Sequence, residues 1–330
     1  MSAALRVPTV QRRLNLSGSP TDVATVLKML QTASGLELRR DRKAMVTMTG
    51  TVRKPASKTL QTHLMLIVGD PAQTAKVALT RSDDDIFIGS FPEKEDDRTQ
   101  VVRVDHILAL EQGVRGAGQA ALIHELMENY EAQAVPTDEW DDAFERAHKT
   151  AGQAEDATLA ELQVAAGETP SGGRLNSYST KIDKQPPGGG KPQRVRVQIE
   201  THERDYIVYE ELKARGANRL TAKRVPSTAL GTFTLKGFKA TSRRLPSGVS
   251  TTLQKIADLL DANATAGVVL RASTSPNAFR RAKSWTAKIG RKIRELMAGS
   301  TAAKRDRFGT GIPDSGANEV EVTVRRPHSL

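Results

Sequence analysis

Six histidines stand in this 330-residue chain: His63, His106, His124, His148, His202 and His328. One of them opens the run His124-Glu125-Leu126-Met127-Glu128. In a helix, positions i and i+4 share a face, so His124 and Glu128 would point at one spot, with Glu125 on the adjoining edge. Two ligands flanking a general base is the logic of the HExxH zinc helix, here with Glu in place of the second His. His148 lies twenty positions after Glu128, on what reads as the following helix, and would be the third ligand. Zn2+ held by His124, Glu128 and His148 would keep one position open for water and lower its pKa toward about 7. Glu125 would take the proton as water attacks a peptide carbonyl and pass it to the leaving amine. An oxyanion donor is also needed. Tyr130 is taken as the candidate within the site, with Tyr178, Tyr206 and His106 as alternatives. Glu145, Glu155 or Asp156 could accept the ring N–H groups of the two histidines.

The same residues would also suit a solvated acidic helix face with one surface histidine. The apolar lead-in Ala120-Ala121-Leu122-Ile123 points instead to a buried helix. A buried His beside two carboxylates needs a compensating charge, which a metal supplies. Other chemistry is thin. There is no cysteine, which excludes disulfides, thiol nucleophiles and Cys-bound metals. Asp83-Asp84-Asp85 lacks the ligand spacing of a calcium loop and reads as a solvated turn. Gly188-Gly189-Gly190-Lys191 lacks the spacing of a phosphate loop. His63 reads as a strand histidine and His106 as structural, while His202 and His328 sit in polar contexts.

The elements that must position the site follow from pattern. Residues 21–32 carry Val23, Val26, Leu27 and Leu30 at helical spacing, with Ser19 or Thr21 as cap. Short β-branched and apolar stretches at 45–52, 63–68, 76–80, 86–88 and 101–104 read as strands of a small sheet. A loop holding Gly113, Gly116 and Gly118 leads into a predicted helix over 119–134, which stops before Pro136. A second is predicted over 139–165, capped by Thr137 or Asp138, with Trp140, Phe144, Ala147, Ala151 and Ala154 on one stripe. Residues 166–193, rich in Gly, Pro and Ser, read as a linker. Beyond it, strands are expected at 194–199, at 231–241 as a pair turning at Gly237, at 267–273 and at 318–326. Helices are expected at 206–216, 247–264 and 279–299. The fold class is therefore α+β. Residues 1–165 would form a small sheet packed with zincin-like active-site helices, with 1–12 as a flexible arm. Residues 194–330 would form a separate basic α+β domain.

At the helix pair the chain resembles the gluzincin-type zinc metallopeptidases with two ligand identities exchanged. Their first helix gives two His and the second gives Glu after about nineteen residues. Here the first helix gives His124 and Glu128, and the second gives His148 after nineteen intervening residues. The upstream order also resembles bacterial effector and polymorphic-toxin metallopeptidases, which open with an I-x-G-S strand, then a helix, strands and a Gly loop. Leu14, Leu16, Gly18 and Ser19 match that opening, and Val10-Gln11-Arg12 fits the short arm of effectors loaded into contractile injection systems. The resemblance covers about residues 10–160. It implies a zinc-dependent hydrolase acting on a protein substrate.

Charge divides the chain. Residues 1–165 carry a net −5 and residues 166–330 a net +16 within the total of +11. Residues 271–308 hold 11 Lys and Arg against 2 Asp and Glu. There Trp285, Ile289, Ile293 and Leu296 run at helical spacing, flanked by Arg281, Lys288, Arg291 and Lys292. Such a helix could lie on an anionic membrane, grip nucleic-acid phosphates, or bury its stripe and leave a solvated basic back. A non-enzymatic binding protein using this half is the alternative function. With 38% apolar and 4% aromatic residues, modest cores are expected. No run reaches the 18 to 20 apolar residues of a spanning helix. The N-terminus lacks an apolar signal core, which fits cytoplasmic synthesis and equally secretion or injection without a signal peptide.

Overall fold

A computed structural model of the chain describes residues 13–81, 87–92, 97–136, 140–185, 188–214, 217–263, 266–274, 278–297, 308–310 and 316–327. Val10-Gln11-Arg12, Asp83-Asp84-Asp85, the caps Thr137 and Asp138, and His328 lie outside them, as do the side chains of Glu145 and Tyr178.

Strand β1 (Leu14–Ser17) buries Leu14 and Leu16 completely. Helix α1 (Pro20–Ser34) follows, with Ser19 Oγ accepting the Asp22 N–H at 3.1 Å as its cap. Gly35 ends α1 in the left-handed region and leads into β2 (Leu36–Arg40) and β3 (Met45–Thr51). Helix α2 (Lys58–Gly69) corrects the strand expected at 63–68. Its buried residues Leu60, Leu64, Ile67 and Val68 fall at i, i+4, i+7 and i+8, while Met65 and Leu66 are exposed. A short apolar run hides that period, and the cap, Ser57 Oγ accepting from Leu60 N at 3.0 Å, decides for helix. His63 is therefore a helix residue.

Strands β4 (Ala75–Thr80), β5 (Gly89–Ser90) and β6 (Gln100–Arg103) complete a six-stranded sheet of order β2-β3-β1-β4-β6-β5. Its centre, β1-β4-β6, is parallel, and β5 joins the edge antiparallel to β6. Helices α3 (Val104–Gly113), α4 (Ala117–Gln133) and α5 (Trp140–Ala165) follow. Every residue of α4 from Ala117 to Tyr130 is buried, as the apolar lead-in required. Helix α5 packs against it and buries Ala143, Ala147, Ala151 and Ala154, small residues that let two helices approach closely.

Strand β7 (Arg174–Lys184) overturns most of the expected linker. It pairs antiparallel with β8 (Gln193–His202) from Arg174↔His202 to Lys184↔Gln193. The Gly and Pro that suggested a linker are concentrated on either side of it, at 167–173 and 186–190. Strand β9 (Asp205–Ala214) replaces the short helix expected at 206–216. Its Tyr, Ile and Val residues favour the extended chain, and pairing with β8 overrides the helical preference of Glu-Glu-Leu-Lys. Strand β10 (Ala217–Leu235) is one long strand rather than part of a pair turning at Gly237. Helix α6 (Ser250–Asp261), β11 (Gly267–Ser273), α7 (Phe279–Leu296), β12 (Phe308–Thr310) and β13 (Glu319–Pro327) complete the chain.

The second sheet has seven strands in the order β12-β11-β13-β10-β9-β8-β7. Its main core holds Leu253, Ile256, Leu260, Leu270, Trp285, Ile289, Ile293 and Val322, drawn from α6, α7, β11 and β13. The chain thus has a mixed α+β fold. It divides into one unit of Met1–Pro170 with Lys213–Ala222 and another of Ser171–Leu212 with Lys223–Leu330. Among the described residues no helix is long and apolar enough to cross a membrane.

Candidate metal centre

Helix α4 is pinned at both ends. At its start Gly116 has φ +82°, and the Glu111 carboxylate accepts the N–H groups of Gly116 at 3.0 Å and Gln119 at 3.3 Å. At its end Arg98 Nη1 donates to the carbonyls of Ala132 at 3.1 Å and Val135 at 2.9 Å. In between, Asn129 Oδ1 accepts the Lys76 N–H of β4 at 2.7 Å. Helix α5 is tied to the start of α2 by Glu161, which accepts from Ser57 Oγ at 2.7 Å and from Thr59 N at 2.9 Å.

Between these two helices three donor atoms converge. His124 Nε2 and Glu128 Oε1 lie 3.7 Å apart, His148 Nδ1 is 3.1 Å from His124 Nε2, and Glu128 Oε1 is 2.7 Å from His148 Nδ1. Around a tetrahedral zinc with ligands at 2.0–2.1 Å, ligand atoms stand about 3.3 Å apart. The three separations bracket that value, and the group could hold a metal ion. His124 and Glu128 are buried and His148 is half-buried, which leaves one side toward solvent.

Glu155, two turns after His148 on α5, accepts from His124 Nδ1 at 2.7 Å. In the neutral ring that bond favours the tautomer with Nδ1 protonated, which leaves Nε2 to bind a cation. It is one of the three carboxylates expected for this role. Burial disfavours a charged imidazole at His124, but Glu155 and Glu128 outweigh it and hold its pKa well above the ordinary value. Burial likewise opposes charge on Glu128, yet its bonds to His124 and His148 bring its pKa down to about 2. Burial, and next the Glu128 charge, push Glu125 up to about 8. The charge of His124 and the Gln100 amide favour its ionisation but do not prevail. Three buried carboxylates around two histidines form a set that a divalent cation suits.

Two residues at the site carry no signal in spacing or motif. Gln100, fully buried on β6, donates its Nε2 to Glu125 Oε2 in a short bond and to Glu128 Oε2 at 3.1 Å. Gly89 on β5 lies so close that a Cβ there would overlap the Glu125 carboxylate. Both come from strands, and only the tertiary fold lays those strands on α4.

The oxyanion candidates go elsewhere. The Tyr130 hydroxyl donates to Asp70 Oδ2 at 2.5 Å, and burial and that bond raise its pKa to about 12. Tyr130 is six positions after His124, so the helix turns it away from the cluster. Tyr206 donates to the Arg325 carbonyl at 3.2 Å in the second unit. His106 is buried on α3, its ring 5.7 Å from that of Phe87. His202, expected in a polar setting, is buried beside Glu200 at 3.8 Å. No known family model matches the chain, and a search of curated proteins finds none similar to it.

Proposed function

We propose that the first unit is a zinc-dependent metallopeptidase. The observation that carries this reading is the convergence of His124, Glu128 and His148 from two helices, with Glu125 beside them on α4. His124, Glu128 and His148 would hold the zinc. When bound, zinc would supply a Lewis acid that lowers the pKa of water and polarises a carbonyl. Glu125 is the general base and then the acid toward the leaving amine. Its carboxylate is pushed toward about 8 by burial and by Glu128, which suits proton transfer near neutral pH. Gln100 holds that carboxylate against β6. Among the described residues the edge strand β5 has one strand neighbour, so an extended peptide can add beside it and pass Gly89 and Glu125.

The match of β1, Gly18, Ser19 and α1 to the opening of effector metallopeptidases supports a bacterial effector or toxin acting on a protein target. In that reading it is made in the cytoplasm and delivered by a contractile injection system.

Metal content by elemental mass spectrometry tests the centre. About one zinc per chain is expected, lost in His124→Ala and in His148→Ala. Glu125→Gln should keep zinc and lose cleavage of a protein substrate. No zinc after incubation with excess metal would end this reading.

A second reading rests on α7. Trp285, Ile289 and Ile293 are fully buried in the core, so the helix keeps only its basic side for a partner. Arg291 and Lys292 are exposed there. This favours contact with phosphates, of nucleic acid or an anionic surface, over insertion of the apolar stripe into a membrane. Binding of duplex DNA by the full chain should fall steeply with salt and be lost on reversing Lys288, Arg291 and Lys292 together.

A further inference from the structure

Aromatic residues are scarce in this chain, with 2 Trp, 4 Tyr and 7 Phe in 330 residues. Three of them gather beside the metal centre. Phe144 lies one turn before His148 on α5 and stacks on its ring, with centroids 5.3 Å apart and planes 16° apart. Phe91 meets Phe144 edge-on at 5.1 Å and Trp140 at 5.2 Å. The Arg98 guanidinium covers Trp140 at 4.9 Å from the ring centroid. Arg98 is itself held on the end of α4, so the group is braced from behind. Yet Phe144 remains 37% exposed, one of few large apolar side chains so placed among the described residues. Its exposed ring adjoins the half-buried His148 at the edge of the metal centre that faces solvent.

Position says what binds. Phe91 comes two residues after Gly89, the spacing at which an extended chain returns to the same side. Gly89 lies against Glu125 and Phe91 against Phe144, so an extended peptide laid along this segment would meet the general base and the aromatic group about two residues, or about 7 Å, apart. We infer that Phe91, Trp140 and Phe144 form the subsite for an aromatic or bulky apolar side chain, one or two residues from the bond presented to the metal centre. The inference rests on the metallopeptidase reading and names its substrate class. Ring faces and edges are what an aromatic side chain packs against best, and the cation that could occupy a ring face is already supplied by Arg98.

The test uses the zinc-loaded full chain and three hydroxamates: acetohydroxamate, which has no side chain, phenylalanine hydroxamate and lysine hydroxamate. Affinities are measured by titration calorimetry, with zinc content checked in parallel. Phenylalanine hydroxamate should bind about tenfold tighter than acetohydroxamate, as one buried aromatic contact implies. Phe91→Ala should remove that preference while acetohydroxamate affinity and zinc content hold, and Phe91→Leu should restore part of it. Equal affinity for all three, or tightest binding of the lysine compound, would overturn the subsite with the metal centre intact. A chain that takes up no zinc would overturn the metallopeptidase reading and this one with it.

Discussion

His124 engages two carboxylates at once, Glu128 across one turn and Glu155 from the neighbouring helix. They make it basic, so at neutral pH a metal must displace a proton from this ring. Metal affinity should therefore rise with pH until the pH passes the raised pKa of His124. Titration calorimetry in two buffers of different ionisation enthalpy should show proton release at pH 7. Glu155→Ala removes one of the two charges and the acceptor that orients the ring. We expect zinc affinity to fall about 10- to 100-fold and proton release at pH 7 to shrink. Unchanged affinity would mean that Glu155 does not hold the ring. Gln100 works on the other side of α4, where one neutral amide donates to both Glu125 and Glu128. Gln100→Leu leaves two buried carboxylates without that donor. Zinc affinity should drop about 10-fold, as on losing any outer partner of a ligand, with the fold retained by circular dichroism.

At the scale of elements, the site depends on where α4 begins. Gly116 takes a left-handed conformation at its N-cap, and a Cβ there would stand 2.8 Å from that of Leu162 on α5. Gly116→Ala should cost about 1–2 kcal/mol from the backbone alone, with crowding of Leu162 added. Thermal unfolding should register it as a lower Tm. An unchanged Tm would show that the loop re-forms without the left-handed residue. The strand-like apolar run at 63–68 shows why such elements are hard to place from pattern alone. His-Leu-Met-Leu-Ile-Val satisfies either period, and the choice falls to the Ser57 cap and to contacts with α1, α4 and α5. In β9, pairing partners in β8 overrule residues that would form a helix in isolation.

At the scale of the molecule, two units with separate cores carry opposite net charge, and each should answer to its own conditions. A metal bound by the native first unit stabilises it by about 2.7 kcal/mol at a hundredfold excess over Kd. Differential scanning calorimetry with zinc and with a chelator should show the transition of the first unit shift. In the second unit Glu200 is buried with Arg174 at 3.1 Å and Tyr209 at 3.0 Å. Burial opposes its charge, but Arg174 and then His202 bring its pKa down to about 2. A lowered carboxylate pKa stabilises the fold above the ordinary value near 4.5 and ceases to do so as pH falls toward about 2. The second unit should therefore lose stability across that window, and Arg174→Ala should destabilise it by about 3 kcal/mol by taking the guanidinium from the buried carboxylate.

His124, Glu125 and Glu128 were legible because one helix carries them, and helical period is a local property that spacing reports directly. The solvated-face reading of that run fails for a local reason too, since the apolar residues before His124 already called for burial. His148 was legible because its helix follows at once. The buried stripe of α7 was legible as one of three outcomes, and packing in the core chose among them. What only the tertiary structure decided are the contacts made across elements: Gln100 and Gly89 from strands laid against α4, Glu155 bonded to His124, Tyr130 turned to Asp70, and Phe91 brought to Phe144. The strand β7 in the expected linker belongs to the same class, because a polar strand is defined by its partner. Local sequence fixes which face a residue occupies on its own element; which other element meets that face is set by the burial of the whole chain.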